Sequence, residues 1–129
     1  MSSRNLSDLK PIFIDKVIPL QIAWQRAGLD VLIYCTLRLD AEQDALYAIG
    51  RTLPGRIVTN ARGGESAHNY GLALDGAPLI HGRIAWDDHP HWALYGKVAM
   101  DCGLEWAGAP SYPFKEMPHV QLADWKSYI

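Results

Sequence analysis

Hydrophobic positions near the start of the chain recur at mostly helical spacings. The residues that form this pattern are Leu9, Phe13, Leu20 and Trp24. With Ser7 as the N-cap and Gly28 as the stop signal, they predict a first helix over residues 7–27. Pro19 falls inside this range, where its ring clashes with the preceding turn and a backbone donor is missing. We therefore expect a kink or a break in this helix at Pro19.

The next segment changes from a helical pattern to that of a buried strand. The run DVLIYCTLR begins at Asp30 and is rich in β-branched and other apolar residues, which favours a strand. After it, Asp40 and Gln43 lie three residues apart in the form of a capping box. They predict a short second helix that ends at Gly50.

A long stretch without strong periodicity follows the second helix, from Arg51 to Tyr70. Its glycines are typical of a loop, and only the apolar triplet IVT at residues 57–59 has the composition of a short strand. Loops of this length inside a compact domain are usually functional. We therefore expect this segment to contribute to a site.

Strand and helix patterns return in the second half of the chain. GLALD reads as a strand, and PLIHGRIAW predicts a hairpin that turns at His81 and Gly82. A third helix is predicted from Asp88 to Cys102, with Gly103 as its C-terminal cap. The remaining residues form short extended pieces interrupted by prolines. Together these elements predict an α+β fold, with helices packed on a small, mainly antiparallel sheet.

Composition and charge exclude several classes of protein. A length of 129 residues predicts a single domain, residues 1–129. With 49% hydrophobic and 20% charged residues, the chain resembles ordinary globular proteins. A formal net charge of -2 lacks the positive excess expected of a nucleic-acid binder. No apolar run is long enough to cross a bilayer, and the first ten residues lack a secretory signal, so we expect a cytoplasmic protein.

Two polar motifs beside predicted strands carry the candidate chemistry: SAHNYGLALD at residues 66–75 and EMPHVQL at residues 116–122. Neither Cys35 nor Cys102 belongs to a CxxC pair. Any zinc ligands should therefore be imidazole or carboxylate groups.

Within these motifs, His68 and Asp75 can approach one ion because Gly71 permits a close backbone approach. His119 is the best candidate for a third ligand. Three protein ligands leave a fourth position for water, which is typical of catalytic zinc sites. Glu116, three residues before His119, is suited to take a proton from this water and pass it to a leaving amine.

The two motifs resemble those of a known family. SAHNYGLALD fits the pattern Ser-x-His-x-x-Gly-x-Ala-x-Asp, and EMPHVQL fits the later acidic-x-x-His element. The family is that of the VanY-like, LAS-type zinc peptidases, which include D-alanyl-D-alanine carboxypeptidases and phage L-alanoyl-D-glutamate endopeptidases. Arg38 after a strand and Gln43 at a helix start match it as well, and residues 44–75 look like its endolysin branch. The resemblance covers residues 30–125.

The resemblance implies a LAS-type peptidase fold and hydrolysis of a peptide bond. It implies a Zn²⁺ ion held by His68, Asp75 and His119. It further implies that Glu116 is the general base and acid, and that Arg38 binds or polarises the substrate. Ser66 and Gln43 are implied as substrate-binding residues.

Ordinary structural roles compete with some of these assignments. An arginine at a strand end, such as Arg38, often pairs with a nearby acid, and the Ser66 hydroxyl could cap a turn. The run DDHPHW at residues 87–92 could hold a metal. An Asp-rich run before a helical pattern is, however, more typical of an N-terminal cap.

The tryptophans and cysteines are interpreted mainly as structural. Trp24 and Trp92 lie on predicted apolar helix faces and are expected in the core. The other three tryptophans are Trp86, Trp106 and Trp125. One of these could border the substrate cleft. Cys35 and Cys102 fall on predicted buried faces and are expected to be inert thiols.

Three functions fit these observations. The first is a peptidoglycan endopeptidase of the phage endolysin type, which cuts the L-alanyl-D-glutamate bond of the stem peptide. Such an enzyme would be a monomer that waits in the cytoplasm until a holin opens the membrane, and would then act on the cell wall. The alternative is a D-alanyl-D-alanine carboxypeptidase or dipeptidase with the same zinc-water mechanism. A lesser alternative is a non-catalytic binding domain of the same fold, which the presence of Glu116 disfavours.

Overall fold

The computed structural model describes residues 2–129, in which three α-helices pack on a small antiparallel sheet. The α-helices are α1 (Pro11–Arg26), α2 (Asp40–Ala48) and α3 (His89–Asp101). The strands are β1 (Asp30–Cys35), β2 (Ala73–Ile80), β3 (Arg83–Ile84), β4 (Glu105–Trp106) and β5 (His119–Gln121). Short 3-10 helices occupy Leu6–Asp8, Ala67–Tyr70 and Trp125–Tyr128. The predicted α+β fold is therefore confirmed.

The sheet has β2 near its centre. Its strand order is β1-β2-β5-β4, and β3 pairs with the distal part of β2. All of these pairings are antiparallel. The hairpin between β2 and β3 turns at His81 and Gly82, as predicted. Within residues 2–129, no helix is both long and apolar enough to cross a membrane.

An aromatic stack between α1 and α3 forms the centre of the core. Trp24 of α1 stacks on Tyr95 of α3 with ring centroids 4.8 Å apart, and Trp92 meets Tyr95 edge to face at 5.4 Å. The indole N–H of Trp24 donates to the Tyr95 carbonyl, and that of Trp92 donates to the Ala85 carbonyl. Because both buried indoles have a hydrogen-bond partner, the cost of removing each N–H from water is compensated. The expected core positions of Trp24 and Trp92 are confirmed.

The first helix differs from its prediction in two respects. It starts at Pro11, which takes the favourable first-turn position, while Leu6–Asp8 forms a separate 3-10 helix. It also continues through Pro19 without a break, so the predicted break is wrong, while the alternative of a kink stays a prediction. Pro19 and Asp15 lie on the exposed side, where water can solvate the Asp15 carbonyl that lacks a donor. Burial of the opposite, apolar side then keeps α1 in one piece.

Two predictions around α2 are also wrong. Asp40 is the first helical residue rather than the cap, and Glu42, not Gln43, accepts from the N–H of Leu39 at 3.3 Å. Gln43 is buried instead. Residues 57–59 form no strand, because no neighbouring strand pairs with them and side chains hold this loop. One such bond is from Arg51 to the Thr59 carbonyl.

The third helix agrees closely with its prediction. Asp88 is the N-cap and accepts from the N–H of His91 at 3.0 Å. Cys102 follows the last turn, and Gly103 has the left-handed φ of 84° that favours glycine after a helix.

Candidate active site

Three strands place side chains of one polar cluster side by side across the sheet. Asp75 of β2 pairs directly with Cys35 of β1 on one side and with His119 of β5 on the other. Directly paired residues of antiparallel strands project from the same face. The register of the sheet therefore brings a thiol, a carboxylate and an imidazole together.

His68 reaches the same cluster from the 3-10 helix Ala67–Tyr70. The Ser66 hydroxyl caps this helix by accepting from the N–H of His68 at 3.2 Å. Gly71 ends it with a φ of 68°, and a Cβ at Gly71 would lie 3.0 Å from the backbone nitrogen of Lys10. Only glycine suits this conformation and this close approach, so the turn that directs His68 to the sheet depends on Gly71.

The three metal ligands implied by the resemblance converge. His68 Nε2 lies 3.1 Å from Asp75 Oδ1, and His119 Nδ1 lies 3.2 Å from His68 Nε2. The distance from His119 Nδ1 to Asp75 Oδ1 is 3.5 Å. Three potential ligand atoms thus face one another, although they come from residues as far apart in sequence as 68 and 119.

The second nitrogen of each imidazole lies at hydrogen-bond distance from an oxygen outside the cluster. His68 Nδ1 lies 2.8 Å from the Thr36 carbonyl oxygen, and His119 Nε2 lies 2.8 Å from Gln121 Oε1. Each imidazole can donate through this nitrogen and offer the lone pair of its other nitrogen to the cluster.

The electrostatics of the cluster favour positive charge. Burial alone would lower the pKa of His68, but the negative charge of Asp75 and its hydrogen bond raise this pKa to about 10. Burial alone would raise the pKa of Asp75, but the charge of His68 keeps it well below its ordinary range. The buried carboxylate of Asp75 thus favours a positive charge beside it, which a metal cation could supply.

Cys35 lies closer to this chemistry than the sequence suggested. It is buried, as expected, but its Sγ lies 3.8 Å from His68 Nδ1 and 3.3 Å from Arg38 Nη2. Burial tends to raise the pKa of the thiol, but His68 and, to a smaller extent, Arg38 bring this pKa below its ordinary value. Cys35, His68 and Asp75 form a candidate metal site, with potential ligand atoms within 4.8 Å of one another. The expectation that only His, Asp and Glu would approach a metal is therefore too narrow.

Arg38 and Gln43 form one unit at the edge of the cluster. The Arg38 guanidinium donates to Gln43 Oε1 at 3.0 Å and lies 3.5 Å from Asp75 Oδ2. Arg38 lines the cleft, whereas Gln43 lies buried behind it and donates to the Ala61 carbonyl at 3.0 Å. Gln43 thus contacts Arg38 and the loop around Ala61, and its direct contact with substrate stays a prediction.

Glu116 faces the same cleft from a tight turn. Its carbonyl accepts from the N–H of His119 at 3.1 Å, and its own N–H donates to the Ala107 carbonyl at 3.1 Å. The turn leads directly into β5. Burial raises the pKa of Glu116 above its ordinary value, and Asp75 adds to this shift, although His119 opposes it. The carboxyl is thus suited to hold and release a proton.

The cleft around the cluster has a volume of about 840 Å³, within the usual range for ligand sites. Besides the polar cluster, Glu116 and Ser66, it is lined by aromatic side chains: Tyr34, Trp86, Tyr112, Phe114 and Trp125. Of the three tryptophans left open by the sequence, two border the cleft, while Trp106 is 93% buried.

The run DDHPHW has a structural role. Asp88 caps α3 and lies 2.9 Å from His91 Nδ1. Within residues 2–129, this run supplies no compact group of three metal ligands. The capping interpretation is therefore the one that the structure supports.

Comparisons with known proteins identify relatives of this chain. A family model described as D-alanyl-D-alanine carboxypeptidase matches residues 59–122, which include both motifs. The chain is 42% identical over 125 residues to the peptidoglycan L-alanyl-D-glutamate endopeptidase CwlK of Bacillus subtilis (strain 168). That alignment covers 90% of this chain and 74% of CwlK.

Solved structures show the same fold. The Serratia marcescens L-Ala D-Glu endopeptidase ChiX matches with a TM-score of 0.70 at 23% identity, over 99% of this chain and 92% of ChiX. The LdcB LD-carboxypeptidase matches with a TM-score of 0.66 at 17% identity, over 92% of this chain and 62% of LdcB. From the identity and coverage of CwlK, with the matching family model, the chain belongs to the metallopeptidase family of D-alanyl-D-alanine carboxypeptidases and L-alanyl-D-glutamate endopeptidases.

Proposed function

We propose that this chain is a zinc-dependent peptidoglycan endopeptidase that hydrolyses the L-alanyl-D-glutamate bond of the stem peptide. The observation that carries this proposal is the convergence of His68, Asp75 and His119 beside Glu116 in one cleft. The bond is proposed from the 42% identity to CwlK, whose name states that specificity.

The spacing of the three ligand atoms fits zinc. Zinc holds imidazole nitrogens and carboxylate oxygens at about 2.0–2.2 Å in a tetrahedron, so neighbouring ligand atoms are about 3.3 Å apart. The distances of 3.1, 3.2 and 3.5 Å among His68, Asp75 and His119 bracket this value. Cys35 fits less well, because its thiol approaches Nδ1 of His68, the nitrogen that faces the Thr36 carbonyl.

Different residues of the cleft have different roles in the proposed hydrolysis. A zinc ion bound there supplies Lewis acidity that polarises the scissile carbonyl and makes water more acidic. Glu116 accepts the proton of the attacking water and later donates it to the leaving amine, a cycle that its raised pKa favours. The Arg38 guanidinium stabilises the negative charge that develops on the carbonyl oxygen.

A D-alanyl-D-alanine carboxypeptidase is the second candidate, favoured by the description of the matching family model. Digestion of purified peptidoglycan, with the new termini identified by mass spectrometry, separates the two. The endopeptidase releases fragments with new L-alanine carboxyl ends and new D-glutamate amino ends. Release of terminal D-alanine alone would overturn the endopeptidase assignment, and Glu116→Gln serves as the inactive control.

The setting in which the enzyme works stays a prediction. The endolysin-like run at residues 44–75 supports a role in phage lysis, with cytoplasmic accumulation and release through a holin. The single-domain organisation and the monomeric state are predictions of the same kind. Expression in a bacterial host with and without a holin, followed by turbidity, tests the lysis role. Equal lysis in both cultures would contradict the dependence on a holin.

A further inference from the structure

A chain of side-chain hydrogen bonds leads away from His119 on the side opposite to the cluster. His119 Nε2 lies 2.8 Å from Gln121 Oε1, and Gln121 Nε2 donates to Glu105 Oε1 at 2.8 Å. The Tyr112 hydroxyl also contacts this junction, at 3.2 Å from Gln121 Nε2 and 3.3 Å from Glu105 Oε1. None of these three residues is a metal ligand in the proposed function.

The positions of these residues in the sheet explain this series of hydrogen bonds. His119 and Gln121 are two residues apart on β5, so their side chains project from the same face. Glu105 of β4 is the direct partner of Gln121 across the strands, which brings the two side chains side by side.

Glu105 determines which way the Gln121 amide points. A carboxylate only accepts hydrogen bonds, so the amide atom that lies 2.8 Å from Glu105 Oε1 must be the NH₂ group. The opposite orientation would place two oxygens against each other at this distance. The carbonyl oxygen of Gln121 therefore faces His119.

The amide in turn determines the tautomer of His119. An amide oxygen only accepts, so the Nε2 atom of His119 must carry the hydrogen. The lone pair of the neutral ring then lies on Nδ1, the nitrogen that faces His68 Nε2 and Asp75 Oδ1. The other imidazole, His68, receives the equivalent restraint from a backbone carbonyl, that of Thr36.

We propose that Gln121 and Glu105 are positioning residues that fix His119 in the tautomer and ring orientation required for metal binding through Nδ1. This inference rests on the ligand role of His119 in the proposed function. Hydrogen bonds of this kind behind a ligand contribute about 10- to 100-fold to metal affinity.

The test measures zinc affinity and the His119 tautomer. Gln121→Met keeps the length of the side chain but accepts no comparable hydrogen bond, and we expect its Kd for zinc to rise about 10- to 100-fold. Gln21→Met, on the exposed side of α1, is the matched control and should bind like the original protein. Long-range ¹H–¹⁵N spectra should show a protonated Nε2 on His119 in the original protein and a mixture of tautomers in metal-free Gln121→Met.

Exchanging the carboxylate of Glu105 with the amide of Gln121 tests the role of Glu105. In Glu105→Gln the partner of Gln121 can donate as well as accept, so the amide loses its fixed orientation and zinc affinity falls. In the double variant Glu105→Gln/Gln121→Glu, the introduced carboxylate accepts from both neighbours. We expect this exchange to restore both affinity and the Nε2-protonated tautomer. Failure to restore either would overturn the role of Glu105.

His119→Ala separates this inference from the proposed function. Zinc binding of His119→Ala equal to that of the original protein would overturn the ligand set itself. Loss of zinc in His119→Ala together with an unchanged Kd and unchanged ¹⁵N shifts in Gln121→Met would overturn only the positioning role. Circular dichroism of each metal-free variant shows that the fold is retained.

Discussion

The two faces of strand β2 are held in different ways. On one face, Gly76 lies against Tyr95 and the aromatic stack that joins α1 and α3. On the other, Asp75 belongs to a polar cluster in which each contact is a single hydrogen bond or ion pair. Apolar packing distributes its stabilisation over many weak contacts, whereas a polar cluster depends on a few specific ones. We therefore expect substitutions on the first face to affect stability and those on the second to affect activity.

Removing a ligand is the strongest test of this difference. In His119→Ala we expect loss of stoichiometric zinc and of peptidoglycan hydrolysis, because two remaining ligands leave the tetrahedral set incomplete. Metal analysis of the purified protein and the digestion assay measure these effects. His91→Ala, which alters a histidine beside the cap of α3, should retain both. Full zinc content in His119→Ala would contradict the ligand assignment.

Removing the base should separate activity from folding most clearly. Glu116→Gln keeps the size of the side chain but cannot accept the proton, so we expect kcat to fall by about 10²- to 10⁴-fold. Zinc content and Tm should stay as in the original protein. The isosteric change Asp101→Asn at the exposed end of α3 is the control. Activity of Glu116→Gln within a factor of two of the control would refute its catalytic role.

A substitution on the face of the sheet that packs against α3 should lower stability rather than act on the chemistry of the site. A Cβ at Gly96 would lie 2.0 Å from the Trp106 ring, so Gly96→Ala overpacks the contact between α3 and β4. We expect the free energy of unfolding to fall by about 1–3 kcal/mol, measured by urea denaturation. Met100→Ala, on the exposed side of α3, should change it little. An unchanged stability in Gly96→Ala would show that this contact can relax.

Tyr95 connects the two faces and should give the smallest, mixed effect. Its hydroxyl donates to the Pro118 carbonyl at 2.7 Å and accepts from the N–H of Gly76 at 3.1 Å. Tyr95→Phe removes this bridge between the neighbours of Asp75 and His119. We expect a loss of about 0.5–1.5 kcal/mol in stability and a measurable rise in the Kd for zinc. A loss of stability with an unchanged Kd would show that the two faces are independent.

The two faces also differ in how well the sequence predicts them. Helical spacing and capping residues predict α3 and its buried Trp92, because these signals are local. The motifs likewise identify the residues that converge around His68. Pro19 wrongly predicts a break in α1, since the packing of this helix outweighs the local preference of proline.

Other errors involve contacts between distant parts of the chain. The position of Cys35 beside His68 follows from its pairing with Asp75, and the sequence does not reveal which residues pair across strands. The role of Gln121 likewise depends on Glu105, which lies 16 residues away in the sequence. The predicted strand at residues 57–59 failed for the same reason, because strand formation requires a partner.

The row formed by Cys35, Asp75 and His119 makes the site sensitive to strand registration. A shift of one residue in a strand moves every side chain to the opposite face. A chain that pairs β5 with β2 one residue out of place would therefore point His119 away from Asp75 and could not bring the three proposed ligands together. A metal ion bound by the proposed ligands would favour only the correctly paired sheet, so its binding would add to the stability of that pairing over a shifted one.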